Sequence, residues 1–215
     1  MIIDAEAYLN IGNAYAAKGQ YDEAIEEYSK VIQLNPNDAK AYALRGRAYA
    51  AKRQYDRVIE DYSKVIQLNS NLAEAYVTRG VAYAHKGQYD RTIKDCDKAI
   101  QLNPNLAEAY ATCGVAYAHK GQYDKAIENY NKAIQLNPNY AVAYVTRGVA
   151  YAHKGQYDKA ISDFQKACNM GCEEGCEDIG MICKSSLQNL HSTPMRPIAG
   201  FRKTLVSFIN SCSRL

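Results

Sequence analysis

The segment Ala75 to Asp90, AYVTRGVAYAHKGQYD, recurs letter for letter as Ala143 to Asp158, 68 residues later. Half that distance is the true period. A shift of 34 aligns Gly12, Gly46, Gly80, Gly114 and Gly148, then Tyr15, Tyr49, Tyr83, Tyr117 and Tyr151, then Tyr21, Tyr55, Tyr89, Tyr123 and Tyr157. Five copies run 5–38, 39–72, 73–106, 107–140 and 141–174, so the repeat is most of the 215-residue chain. Self-similarity at this period constrains the fold more than any single motif, because each copy must be one small supersecondary unit that stacks on the next.

Within 107–140, two apolar patterns of helical period flank His119-Lys120-Gly121-Gln122. Tyr110, Cys113, Gly114 and Tyr117 follow i, i+3, i+4, i+7, and Ala126, Ile127, Tyr130, Ala133 and Ile134 share one face. Gly121 suits the left-handed conformation that ends a helix, and Asp124 in the next first turn suits the helix dipole. The second helix is expected to stop at Asn137-Pro138-Asn139, since proline cannot continue the amide ladder. Each copy therefore reads as a helix-turn-helix hairpin.

These residues resemble the tetratricopeptide repeat. The aromatic at the fourth place is Tyr8, Tyr42, Tyr76, Tyr110 and Tyr144, and the glycine series above holds the eighth. The small residue at the twentieth is Ala24, Val58, Thr92, Ala126 and Ala160. The aromatic at the twenty-fourth is Tyr28, Tyr62, Cys96, Tyr130 and Phe164, and the late proline is Pro36, Pro104 and Pro138. Departures are Val58 and Thr92, Arg53 for the turn glycine, Cys96 for the aromatic, and Ser70 and Cys172 for proline; they suggest local loosening in the second and third repeats. The resemblance implies an all-α, right-handed superhelical α-solenoid of such hairpins, with the first helices lining a concave face.

The sequence outside the repeats is expected to comprise a short extension at 1–4, a capping helix at 175–191, and a basic linker and short amphipathic helix at 192–215. Residues 184–215 hold five Lys and Arg and no Asp or Glu, a formal +5, which leaves −2 for residues 1–183 against the total of +3. The array itself is slightly acidic, so a nucleic-acid partner is not expected. No apolar run is long enough to span a bilayer and the start lacks the pattern of a signal peptide, so a cytoplasmic protein is expected, and membrane contact by the tail is not. In that setting the seven Cys should be reduced thiols.

Chemistry finds little footing. Cys168, Cys172, Cys176 and Cys183 are interrupted by Gly171 and Gly175, and small buried apolar side chains explain them better than a metal. Cys96 and Cys113 read as packing too. His85, His119 and His153, each followed by Lys, complement the ends of their helices, with ligand contact as the alternative reading. Glu26, Glu27, Asp61 and Glu128 read as a solvated exterior, and Arg45, Arg79 and Arg147 as stems laid on the core with heads in water. No phosphate loop, nucleophile elbow or metalloprotease helix occurs. Neither catalysis nor a cofactor or metal is expected.

What the resemblance implies instead is a groove at places such as the fifth, sixth and ninth. Its candidate residues are Asn10, Asn13, Leu44, Arg47, Val77, Thr78, Val81, Thr112, Val115, Val145, Thr146 and Val149. Of the carboxylate clamp known in some members, Asn13 matches one place while Leu9, Leu44, Glu74 and Thr78 depart at the others, so that mode is not expected. The expected function is a non-enzymatic scaffold holding an extended peptide or helix from a protein partner. A self-assembling module, by array stacking or tail-in-groove oligomerisation, is the structural alternative, and a Cys-rich metal or redox protein the third. The 19 tyrosines all lie in the repeats, at what read as four copied core positions plus Tyr140.

Overall fold

The computed structural model describes residues 4–172, and these form ten helices and no strand. The proposed capping helix and basic tail lie outside the described residues. The helices are α1 (Ala5–Ala17), α2 (Tyr21–Leu34), α3 (Ala39–Ala51), α4 (Tyr55–Leu68), α5 (Ala73–His85), α6 (Tyr89–Leu102), α7 (Ala107–His119), α8 (Tyr123–Leu136), α9 (Ala141–His153) and α10 (Tyr157–Asn169). They divide into two compact units, Met1–Pro104 and Asn105–Leu215. The all-α hairpin repeat read from the sequence is therefore the observed fold.

The turns follow from local chemistry. Gly19, Gly87, Gly121 and Gly155 end the first helices with φ between 72 and 75°. The amide three residues beyond the helix reaches back, as Gln122 N does to the Tyr117 carbonyl at 2.9 Å, which closes the helix end. Arg53 takes the same left-handed conformation, φ 58°, at a cost of about 1 kcal/mol that glycine would not incur. At the other end of each hairpin, the Asn35, Asn69 and Asn137 side chains accept the amides of Asn37, Asn71 and Asn139 at 3.1–3.2 Å. That Asx turn explains why Ser70 replaces proline without loss of the stop.

In the N-terminal unit, one cluster joins Ala24 and Tyr28 to Ala48, and a second joins Val58, Tyr62 and Val65 to Ala75 and Ala82. Each spans one hairpin and the first helix of the next, which is how a repeat covers the face it cannot cover alone. The C-terminal unit repeats this: Val115, Ala126 and Tyr130 meet Ala150, and Val145, Val149, Ala160 and Phe164 form a further cluster. The eighth-place glycine lets the hairpin close. A Cβ on Gly114 would stand 2.4 Å from the Tyr130 ring, and one on Gly148 would stand 2.6 Å from Phe164.

The expected loosening at the twentieth place is not what the structure has. Val58 and Thr92 are fully buried, and Thr92 Oγ1 donates to the Gly80 carbonyl at 3.0 Å, so the extra hydroxyl is satisfied rather than stranded.

Candidate functional site

The first helices present the candidate groove residues in two different environments. In the N-terminal unit, Asn10 and Asn13 on α1 and Arg47 on α3 are exposed; Leu44 on α3 and Thr78 and Val81 on α5 are half-buried, and Val77 is buried. In the C-terminal unit, Thr112 and Val115 on α7 and Val145, Thr146 and Val149 on α9 are all buried. Val115 packs with Ala126, Tyr130 and Ala150, and Val145 and Val149 pack in the cluster of Tyr144 and Phe164.

Several polar members of the set have structural partners. The Tyr28 hydroxyl donates to Asn13 Oδ1 at 2.9 Å. The Tyr62 hydroxyl donates to the Ala43 carbonyl at 3.4 Å, and Thr78 and Thr146 donate to the Glu74 and Val142 carbonyls of their own helices at 2.9 and 2.8 Å. A phenol inside a hairpin needs one polar contact, and the facing first helix supplies it to Tyr28 and Tyr62. Burial raises the pKa of the Tyr28, Tyr62 and Tyr130 hydroxyls, so they remain protonated donors.

The exterior is more organised than the sequence suggested. Arg45, Arg79 and Arg147 do not extend their heads to water. Arg45 Nε and Nη2 donate to the two oxygens of Asp61 at 3.0 and 2.7 Å. Arg79 makes the same fork to Asp95 at 2.8 Å in both bonds, and Arg147 to Asp163 at 2.7 and 2.6 Å. These carboxylates are 5–7% exposed, so Asp61 is not the solvated residue expected. The remaining nitrogen of each guanidinium crosses to the preceding hairpin, reaching Ser29, Ser63 or Asn131 at 2.6–3.1 Å. Each guanidinium also lies 5.4–5.9 Å from the rings of two tyrosines of its own helix, Tyr42 and Tyr49, Tyr76 and Tyr83, or Tyr144 and Tyr151.

The signal for this clip was present in the sequence as a constant separation of 16 between Arg and Asp. Both partners change together in the two repeats without it, to Ile11 with Glu27 and to Cys113 with Asn129. In the three repeats that have the clip, the tyrosines at the fourth and eleventh places thus serve as cation platforms, most of them half-buried, and only those at the twenty-fourth are uniformly core.

The recurring His-Lys pair fastens neighbouring hairpins. His85 stacks on Tyr55 with ring centroids 4.3 Å apart, and His153 on Tyr123 at 4.9 Å. Lys52, Lys86 and Lys154 pair with Asp22, Asp56 and Asp124 of the preceding hairpin. Burial lowers the pKa of His85, with a smaller push from Arg53, and burial likewise lowers that of His153. The imidazoles are therefore neutral stacking partners at pH 7, not cations set on the helix dipole.

Family profiles described as TPR repeat match residues 12–52, 46–87 and 116–155, and others described as tetratricopeptide repeat match 73–106, 96–128 and 141–170. The chain belongs to the tetratricopeptide repeat family. Among solved structures, this TPR protein is similar to MamA, with 33% identity over 81% of this chain and 98% of that one and a TM-score of 0.67. It is also similar to YrrB, a TPR protein with an unusual peptide-binding site, at 25% identity over 78% and 86% of the two chains and a TM-score of 0.61. A thermophilic TPR protein of Thermus thermophilus, 20% identical over 86% of this chain and 100% of that one, shares the fold with a TM-score of 0.68. No curated protein matches the sequence.

In one respect the structure of this TPR protein corrects the sequence reading outright. Cys96, Cys113 and Cys168 are disulfide-bonded rather than reduced. Cys96 and Cys113 are buried, as core substitutes should be, and burial in the core is compatible with a bridge where the geometry suits one and an oxidant is available. Bridges are rare in reducing compartments, so the cysteines no longer argue for a cytoplasmic setting. No helix among the described residues is long and apolar enough to cross a membrane.

Proposed function

We propose that this TPR protein is a non-enzymatic interaction scaffold that holds an extended peptide or helix of a protein partner along the first helices of its hairpins. The observation that carries the reading is the open row on the N-terminal unit. Asn10, Asn13 and Arg47 stand exposed at the sixth and ninth places of consecutive first helices, with Leu44, Thr78 and Val81 half-buried beside them. Asparagine amides can both donate to and accept from a peptide backbone. Arg47 can take a carboxylate in a forked geometry, while Leu44 and Val81 offer apolar footing. Val77 backs this row from the core of the N-terminal unit, while Thr112, Val115, Val145, Thr146 and Val149 are buried in the C-terminal unit and offer no open row there. Similarity to MamA and to the peptide-binding YrrB supports a protein partner.

Partners recovered by pulldown are titrated against the intact chain and against Asn10→Lys and Arg47→Glu. Both residues are exposed, so helical circular dichroism should be unchanged while affinity drops at least about tenfold. Full affinity in both variants would remove the assignment. Light scattering with and without residues 192–215 tests a second copy as partner: a concentration-dependent oligomer that needs the tail would make the chain its own ligand.

A further inference from the structure

Repeat 107–140 is the one place in the C-terminal unit where the arginine clip is missing, and the gap has a shape. In repeats 39–72, 73–106 and 141–174 a guanidinium lies 5.4–5.9 Å from two tyrosine rings and forks onto an aspartate of the second helix. Here the same two rings, Tyr110 and Tyr117, remain, but the seventh place is Cys113 and the aspartate is Asn129. Cysteine lacks the length of arginine, and between the rings and α8 lies a cleft of about 520 Å³, whose lining includes Tyr110, Tyr117, Lys125, Glu128, Asn129 and Lys132. That volume is within the range of ligand sites.

The geometry points to this cleft as a receptor for a guanidinium, the side chain of an arginine presented by a partner polypeptide, taking the position that the protein's own arginine takes in three sister repeats. The tyrosine pair is the internal precedent for the walls, since cation–π attraction to both faces already holds Arg45, Arg79 and Arg147. Asn129 Nδ2 is committed to the Lys125 carbonyl at 2.9 Å, which leaves its carbonyl oxygen to accept from the guest. Glu128, exposed on the same helix, supplies the countercharge. Lys125 already lies 5.4 Å from the Tyr117 ring centroid, and the two lysines oppose Glu128, so the site should be weak and selective for a flat cation over a rounded one. The seventh place lies on the side of α7 turned away from the ninth, so this site is separate from the face proposed above.

The test follows Tyr110 and Tyr117 ring resonances by NMR in the full chain titrated with N-acetyl-arginine amide, N-acetyl-lysine amide and N-acetyl-citrulline amide. Saturable binding in the millimolar range is expected for the arginine compound, with the lysine and citrulline compounds at least about tenfold weaker. Asn129→Asp restores the carboxylate of the sister repeats and should tighten arginine about tenfold, while Glu128→Lys should weaken it about tenfold. Arg47→Glu should leave all three titrations unchanged, which separates this site from the peptide face. Absence of a saturable shift, equal binding of lysine, or an Asn129→Asp variant no tighter than the parent would each overturn the assignment.

Discussion

At the scale of single residues, the arginine clip is the feature most open to measurement. Arg45 meets Asp61 through two forked bonds and Ser29 through a third, with the carboxylate only 5% exposed. Losing one partner leaves a charge with poor access to water, whereas losing both removes the difficulty. Asp61→Asn is therefore expected to cost about 2 kcal/mol, and the double substitution Arg45→Cys with Asp61→Asn to cost less than the sum of its parts by about 1–2 kcal/mol. Urea denaturation of the four proteins checks this, and strict additivity would show that the fork carries no coupling. The double variant copies the combination of repeat 107–140 onto repeat 39–72, so the protein already contains evidence that the pair changes as a unit.

Individual helices were readable in advance; what fastens them was less so. Period-3.6 patterning, Gly121 and Asn137 located α7 and α8 because those signals act within a few residues. The Arg–Asp fork was missed because an alternating charged face looks solvated from sequence, although its partners recur at a fixed separation. The burial of Val115 was missed for a different reason: it packs against Ala150 of the following hairpin, which no window of one repeat contains. The histidines illustrate the point. At a helix end they read as dipole partners, yet His85 stacks on Tyr55 of another hairpin. Its pKa is lowered from 6.5 by burial, so the unfolded chain takes up the proton first as pH falls. The folded state binds fewer protons in that window, and stability must decline as pH drops through about 6.5 and level off below the folded value. The melting temperature of the intact protein should fall between pH 7 and pH 5 more than that of His85→Gln; identical slopes would exclude His85 as the source.

For the molecule as a whole, stability is assembled from neighbours. In the N-terminal unit two hydrophobic clusters each run from one hairpin to the first helix of the next. Such a body should unfold in graded steps. Tyr28→Ala removes a fully buried ring from the α1–α3 cluster, at an expected cost of about 3–5 kcal/mol. Hydrogen exchange should then show protection lost in α1, α2 and α3 and largely kept in α5 and α6. Uniform loss across all six helices would mean that the unit behaves as one cooperative block.

The fastenings between hairpins have a consequence for how such a chain can change over generations. Lys86 pairs with Asp56, and Lys52 with Asp22, in one and the same offset of 30 residues; Arg79 reaches Ser63 as Arg45 reaches Ser29, at an offset of 16. Within the N-terminal unit the second and third hairpins thus each carry the plug for the one before, and the first and second the matching socket. A tandem duplication of residues 39–72 would introduce a copy whose Arg45 and Lys52 equivalents meet Ser63 and Asp56, and whose own Ser63 and Asp56 equivalents await Arg79 and Lys86. The gene can therefore lengthen or shorten by whole multiples of 102 base pairs without inventing a new contact, and near-identical neighbouring copies are the substrate on which recombination does this most readily.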